Sequence, residues 1–104
     1  LPQDGPIFEP LPRYPSSFRD ITLTVDVSVP SGNLELIIKE HGLVESVTLF
    51  DVYTGAGIPQ GRRSLTYRVH YQSVSETLTA QAVNAVHSQI LKDLERQTGA
   101  RLRE

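Results

Sequence analysis

The sequence predicts an α+β sandwich: a four-stranded antiparallel sheet with two helices covering one face. Three observations predict it. Two stretches, ITLTVDVSV at 21–29 and RRSLTYRVHYQ at 62–72, alternate apolar and polar residues with the period of a half-buried strand. Residues 79–98 carry an apolar stripe at helical spacing. The elements between and around these runs come in the order β-α-β-β-α-β.

In the first strand, Ile21, Leu23, Val25, Val27 and Val29 point one way and Thr22, Thr24, Asp26 and Ser28 the other. Pro30 ends it, and Ser31 is placed to cap a helix over 32–41 whose stripe is Leu34, Ile37 and Ile38. Gly42 is the expected terminator. The second strand, VESVTLFDVY at 44–53, has one irregularity. Unbroken alternation would bury Asp51, and a lone buried carboxylate costs on the order of several kcal/mol. A bulge near Leu49 and Phe50 switches the parity, buries Phe50 and Val52, and turns Asp51 and Tyr53 outward. The competing arrangement keeps Asp51 inside, paired with an arginine such as Arg19.

The third strand puts Leu65, Tyr67, Val69 and Tyr71 on its apolar face and Ser64, Thr66, Arg68, His70 and Gln72 on its polar one. Turn residues from Thr54 to Gly61 make strands two and three a hairpin. The long helix has Val83, Val86, Ile90, Leu91 and Leu94 on its stripe, Thr77 or Thr79 as its cap and Gly99 as its end. A short last strand at 100–104 places Leu102 inward and Arg101 and Arg103 outward. This element order is the split βαβ, or ferredoxin-like, arrangement, and right-handed crossovers give the sheet order 4-1-3-2. Residues 1–13 are read as an extended, proline-rich arm or linker and residues 14–104 as the domain.

The composition narrows the function classes. A chain of 104 residues is one domain's length, and its 38 % hydrophobic and 21 % charged residues fit a globular domain. There are no cysteines, so thiol chemistry and disulfides are excluded. No apolar run has the length of a membrane span. The net charge of −2 does not fit a promiscuous nucleic-acid binder. Charge is unevenly spread, however: between Asp51 and Glu76 there is no acid, and that window holds Arg62, Arg63, Arg68 and His70.

Catalytic motifs find little support. The glycines of GAGIPQG at 55–61 precede a strand, whereas the dinucleotide fingerprint needs them to open a helix. His41, His70 and His87 lack metal-ligand spacing; His41 reads as solvated near a helix end and His87 as surface or boundary. No nucleophile-elbow pattern is present. The reading is a binding module whose chemistry lies on the open sheet face. That face gathers Thr22, Thr24, Asp26, Asp51, Tyr53, Ser64, Thr66, Arg68, His70, Arg101 and Arg103. Hydrogen-bonding groups, one aromatic and several arginines suit looped or single-stranded RNA, although the central aromatics of an ordinary RNA-recognition motif are missing. The alternative is a ferredoxin-like protein-interaction or structural domain that does not bind RNA.

Four segments taken together, YPSSFRD at 14–20, LFDVYTG at 49–55, IPQGRRSLTYR at 58–68 and TLT at 77–79, resemble the ferredoxin-fold anticodon-binding domain at the C-terminus of the bacterial phenylalanyl-tRNA synthetase beta subunit. The resemblance covers residues 10–104. It implies a non-catalytic module that holds the anticodon stem-loop of phenylalanine tRNA. The parent would be a cytoplasmic alpha2beta2 ligase, with the alpha subunit and the rest of beta as partners and no membrane association. The resemblance implies ATP and Mg2+ for that parent and no cofactor or metal for this domain. Carried over by motif, the RNA-binding residues are Asp51, Tyr53, Ser64 and Arg103: stacking for Tyr53, base-edge hydrogen bonds for Asp51 and Ser64, and a charge-assisted bond for Arg103. Because the last strand is short, Arg101 is the alternative to Arg103. Arg62, Arg63 and Arg68 are added as phosphate contacts on charge alone. Ala80, Gln81 and Ala82 follow TLT where the family often has acids.

Overall fold

The computed structural model of the chain describes residues 16–73 and 77–103, so the expected arm at 1–13 lies outside the described residues. The elements are β1 (Ser17–Asp26), α1 (Ser31–Lys39), β2 (Val44–Tyr53), β3 (Arg62–Tyr71), α2 (Ala80–Thr98) and β4 (Arg101–Leu102). The sheet order is β2-β3-β1-β4, the predicted 4-1-3-2 read from the other edge. All three strand pairs are antiparallel.

One face of the sheet packs on the helices. Ile21, Leu23 and Val25 of β1 and Leu65, Tyr67, Val69 and Tyr71 of β3 are buried there with Leu34, Ile37 and Ile38 of α1 and Val83, Ile90 and Leu94 of α2. Burying an aliphatic or aromatic side chain is worth roughly 1.5–3 kcal/mol, so this layer supplies most of the folding drive. The two buried tyrosines keep their hydroxyls satisfied: Tyr67 donates to the Ser31 carbonyl at 2.9 Å, and Tyr71 lies 3.1 Å from His87 Nδ1.

Local departures from the expected elements have local causes. β1 starts at Ser17, four residues before the apolar run, and stops at Asp26. There the Asp26 carboxylate accepts from both the backbone N–H and the hydroxyl of Ser28, which curls the chain into a turn and leaves Val27 exposed. Helix α1 is capped by Pro30 with no side-chain bond, and Ser31 is its first helical residue. Its C-cap is Glu40 in right-handed geometry, and Gly42 is not among the glycines with positive φ. The long helix is as expected: the Thr79 hydroxyl accepts from Ala82 N–H at 3.0 Å, and Gly99 ends it at φ 75°. His41 is not solvated, whereas His87 lies at the boundary as expected. His41 Nε2 sits 3.0 Å from Asp93, tying the end of α1 to α2, and half-buried His87 faces Tyr71.

Candidate nucleic-acid interface

The uncovered face of the sheet is a grid set by strand register. One row across it is Tyr53, Ser64, Thr24 and Arg101; the next is Asp51, Thr66 and Thr22. Arg103 extends that second row, because its backbone N–H donates to the Thr22 carbonyl at 2.7 Å. A third row holds Thr48, Arg68 and Asp20, and a fourth holds Ser46, His70 and Phe18. Side-chain contacts confirm the shared side: the Thr22 and Thr66 hydroxyls are 3.0 Å apart, and Arg68 Nε donates to Asp20 at 2.9 Å.

The grid exists because β2 slips against β3. Leu49 opposes Tyr67 and Asp51 opposes Thr66, so Phe50 is an extra residue in β2. That bulge places Asp51 and Tyr53 on the open face. It does not bury the two apolar residues expected to go inside. Phe50 sits on the open side, 51 % exposed, with the Arg68 guanidinium 5.0 Å from its ring centroid. Val52 faces the helix side, but at the end of an edge strand it stays 52 % exposed. Arg19 is on the other face, bonded to Asn84 of α2, and is not paired with Asp51.

The connection from Thr54 to Gly61 folds back over this end of the grid. The Tyr53 hydroxyl donates to the Ala56 carbonyl at 3.2 Å, and a Cβ added at Gly57 would lie 3.9 Å from the Arg103 guanidinium. Arg103 therefore reaches from the β4 edge across the sheet to the hairpin loop. With Tyr53 on one side and Thr24 on the other, Ser64 lies at the floor of this corner and is only 1 % exposed. Tyr53, Asp51 and Arg103 are exposed above it.

The four residues carried over by motif are thus brought together: Asp51, Tyr53, Ser64 and Arg103 occupy one corner. The three arginines added on charge are not. Arg62 is half-buried, and its guanidinium donates to the carbonyls of Thr24 and Gly99. Arg63 points to the helix side, where it donates to the Val29 carbonyl at 2.8 Å and its Nε is buried without a partner. Arg68 is on the open face, but Asp20 neutralises it, and their hydrogen bonds hold the Asp20 carboxyl below the usual carboxylate range. Arg101, in the Tyr53 row, is exposed and makes no side-chain hydrogen bond or ion pair among the described residues.

Two aromatic groups on this face lie outside the sequence expectations. Phe50 was expected inside. Phe18 lay before the predicted start of the first strand, although its spacing of two, four and six from Asp20, Thr22 and Thr24 was an available signal. Phe18 is 56 % exposed and stacks on His70, with centroids 4.5 Å apart and planes 7° off parallel. The described residues contain no group of three or more metal-ligating side chains, and none of the described helices is long and apolar enough to cross a membrane.

Comparison with known proteins agrees with this architecture. Residues 12–103 match the family described as the ferredoxin-fold anticodon binding domain. The chain is 47 % identical over 98 residues to the phenylalanine–tRNA ligase beta subunit of Geobacillus kaustophilus (strain HTA426), a match covering 92 % of this chain and 12 % of that protein. It is 44 % identical over 98 residues to the beta subunit of Halalkalibacterium halodurans, with the same coverages, and 43 % identical over 91 residues to that of Bacillus subtilis (strain 168), covering 86 % of this chain and 11 % of the relative. The chain therefore spans about one-eighth of the length of these relatives. A family match across nearly its whole length, on a sheet of the expected order, establishes that the chain belongs to the ferredoxin-fold anticodon-binding domain family.

Proposed function

We propose that the Tyr53–Arg103 corner binds the anticodon loop of phenylalanine tRNA, and that the chain acts as the anticodon-binding module of a phenylalanine–tRNA ligase beta subunit. One observation carries the reading: a phenol, a carboxylate and a guanidinium stand exposed around one corner of an open sheet face, beside a hairpin loop. These are the groups single-stranded RNA requires. An aromatic ring stacks on a splayed base, a carboxylate accepts from an exocyclic amine or ring N–H, and a guanidinium donates to base acceptors or phosphate. Ser64 is the second-line contact in this reading, since only 1 % of it is exposed. Arg101 replaces Arg62 and Arg63 as the phosphate contact, because those two are engaged on backbone carbonyls. ATP, Mg2+ and the joining of phenylalanine to tRNA belong in this reading to other parts of a cytoplasmic alpha2beta2 parent, so this domain contributes recognition alone.

The test is a salt titration of the phenylalanine anticodon stem-loop against the chain and two variants. Removing a stacking aromatic costs roughly 1–3 kcal/mol per base, so Tyr53→Ala should weaken binding about 5- to 150-fold. Arg101→Ala should reduce the slope of log affinity against log salt by about 0.7 to 0.9, the value of one phosphate contact, and leave base preference unchanged. An unchanged affinity for Tyr53→Ala would overturn the corner's role.

A further inference from the structure

Diagonally across the sheet from Tyr53 stands a second flat ring with an open side. His70 is six residues along β3 from Ser64, the partner of Tyr53. At about 3.4 Å per residue, the Phe18–His70 pair is roughly 20 Å from that corner. One base cannot touch both. The Phe18 ring lies nearly parallel to the imidazole at 4.5 Å, so one of its faces is covered and the other points away from β3, toward the outer edge of β1. Beyond Thr22 no described strand pairs with that edge, and the Arg19 guanidinium donates to its Phe18 carbonyl at 3.3 Å. β4 pairs only with Leu23 and Thr24, and the last contact beyond it is Arg103 N–H on the Thr22 carbonyl. Because backbone direction alternates along a strand, the N–H and C=O of Asp20 face the same side as the Thr22 carbonyl, and no described strand meets them. A groove of about 440 Å³, lined by Phe18, Arg19, Asp20 and Arg68, runs along this edge.

From this juxtaposition we infer that Phe18 is a stacking platform for a second, separate unpaired nucleobase of the bound RNA. This rests on the proposed RNA-binding role of the open face and extends it. The base continues the His70–Phe18 stack beside the outer edge of β1. Its own edge meets the Asp20 amide donor and carbonyl acceptor, with the Arg68–Asp20 ion pair alongside. The match is chemical: a planar π face 56 % exposed, and a backbone donor and acceptor side by side. A protein partner would more naturally be met by a broader apolar surface, and the groove lining has no apolar side chain beyond Phe18.

The chain contains no tryptophan, so Phe18→Trp creates a single fluorescent reporter at the site. Two RNAs are titrated against it: the phenylalanine anticodon stem-loop, including versions with single abasic loop positions, and an unstructured oligonucleotide. Binding should quench the reporter, and one abasic position, different from the one that matters to Tyr53, should abolish the quench. Phe18→Ala should weaken binding about 5- to 150-fold, with Phe18→Tyr close to the parent chain. Phe18 is largely exposed, so a thermal melt should show all three variants folded. If the stem-loop binds and responds to Tyr53→Ala but not to Phe18→Ala, the second platform is refuted, the anticodon reading stands, and the groove is left to a protein surface. If only the oligonucleotide binds, in a Phe18-dependent way, the platform stands and the anticodon reading fails. Binding of neither RNA overturns both.

Discussion

β3 shows two faces of one strand put to opposite uses. On the helix side, Tyr67 and Tyr71 are fully buried, each with its hydroxyl held by a partner. On the other side, Tyr53, Phe50 and Phe18 stand 41 %, 51 % and 56 % exposed against β3 residues or their neighbours. The rings are chemically alike; strand parity, with one bulge, decides which carry the fold and which are left for recognition. The contrast teaches that aromatic content alone says little here. A ring on the covered face should cost stability when removed, and a ring on the open face should cost binding.

The sharpest way to break that contrast is Tyr67→Ala. It removes a fully buried ring and leaves a cavity, so urea denaturation should show a loss of about 3–5 kcal/mol. Next comes Gly99→Ala. Gly99 closes α2 at φ 75°, and a side chain there costs about 1–2 kcal/mol, visible as a lower midpoint in the same denaturation. Thr79→Ala removes the α2 cap, with about 1 kcal/mol lost. At the bottom of the series, Tyr53→Ala and Phe18→Ala should stay within about 0.5 kcal/mol of the parent, because both side chains stand on the open face outside the core. A large destabilisation by either open-face variant would mean that the two faces are not divided as described.

The covered face also predicts a pH dependence. Burial pushes the His87 pKa below its ordinary 6.5, helped by the nearby Arg19 charge. The unfolded chain therefore takes up a proton before the folded one does. Stability from neutral His87 is complete above about pH 6.5 and is lost as pH falls through the window below it. The cause is visible in the geometry: half-buried His87 packs against Tyr71 with the Arg19 charge nearby, so a charged imidazole there loses hydration and meets a like charge. Melting temperature should fall between pH 7 and 5, and His87→Gln should flatten that fall. At the alkaline end the sign reverses. Burial pushes Tyr71 up to about 12, so its contribution is lost as pH rises past 10, where the unfolded tyrosine ionises first.

Periodicity made the sheet order, both helices and the sidedness of β3 readable before any coordinates, because each follows from which residues must be dry. The bulge was readable for the same reason: Asp51 had to be kept out of the core. Which residue the bulge would eject was not. Phe50 is the extra residue of the bulge and lands on the open side beside the Arg68 guanidinium, and that depends on register between β2 and β3. The end of β1 was misplaced because Val27 and Val29 continue the alternation, whereas the Asp26–Ser28 turn overrides it. At the candidate site, parity together with the bulge was enough to bring Asp51, Tyr53, Ser64 and Arg103 to one face. The depth of Ser64 and the anchoring of Arg62 on carbonyls depend on how the chain folds over the sheet at that end, which no local pattern encodes. Arg63 is the instructive case: its odd-numbered register with Leu65 and Tyr67 already assigned it to the covered face, and charge alone had pointed the other way.

The account's central claim is that the Tyr53–Arg103 corner reads bases. Its most direct test compares the affinity of the chain for the phenylalanine anticodon stem-loop with that for a stem-loop of identical stem carrying different anticodon bases, at one fixed salt concentration. Loss of a good base-edge contact costs about 1–3 kcal/mol, so the substituted loop should bind about 5- to 150-fold more weakly. Equal affinity for the two loops would show that the corner holds RNA by charge alone and would contradict the claim.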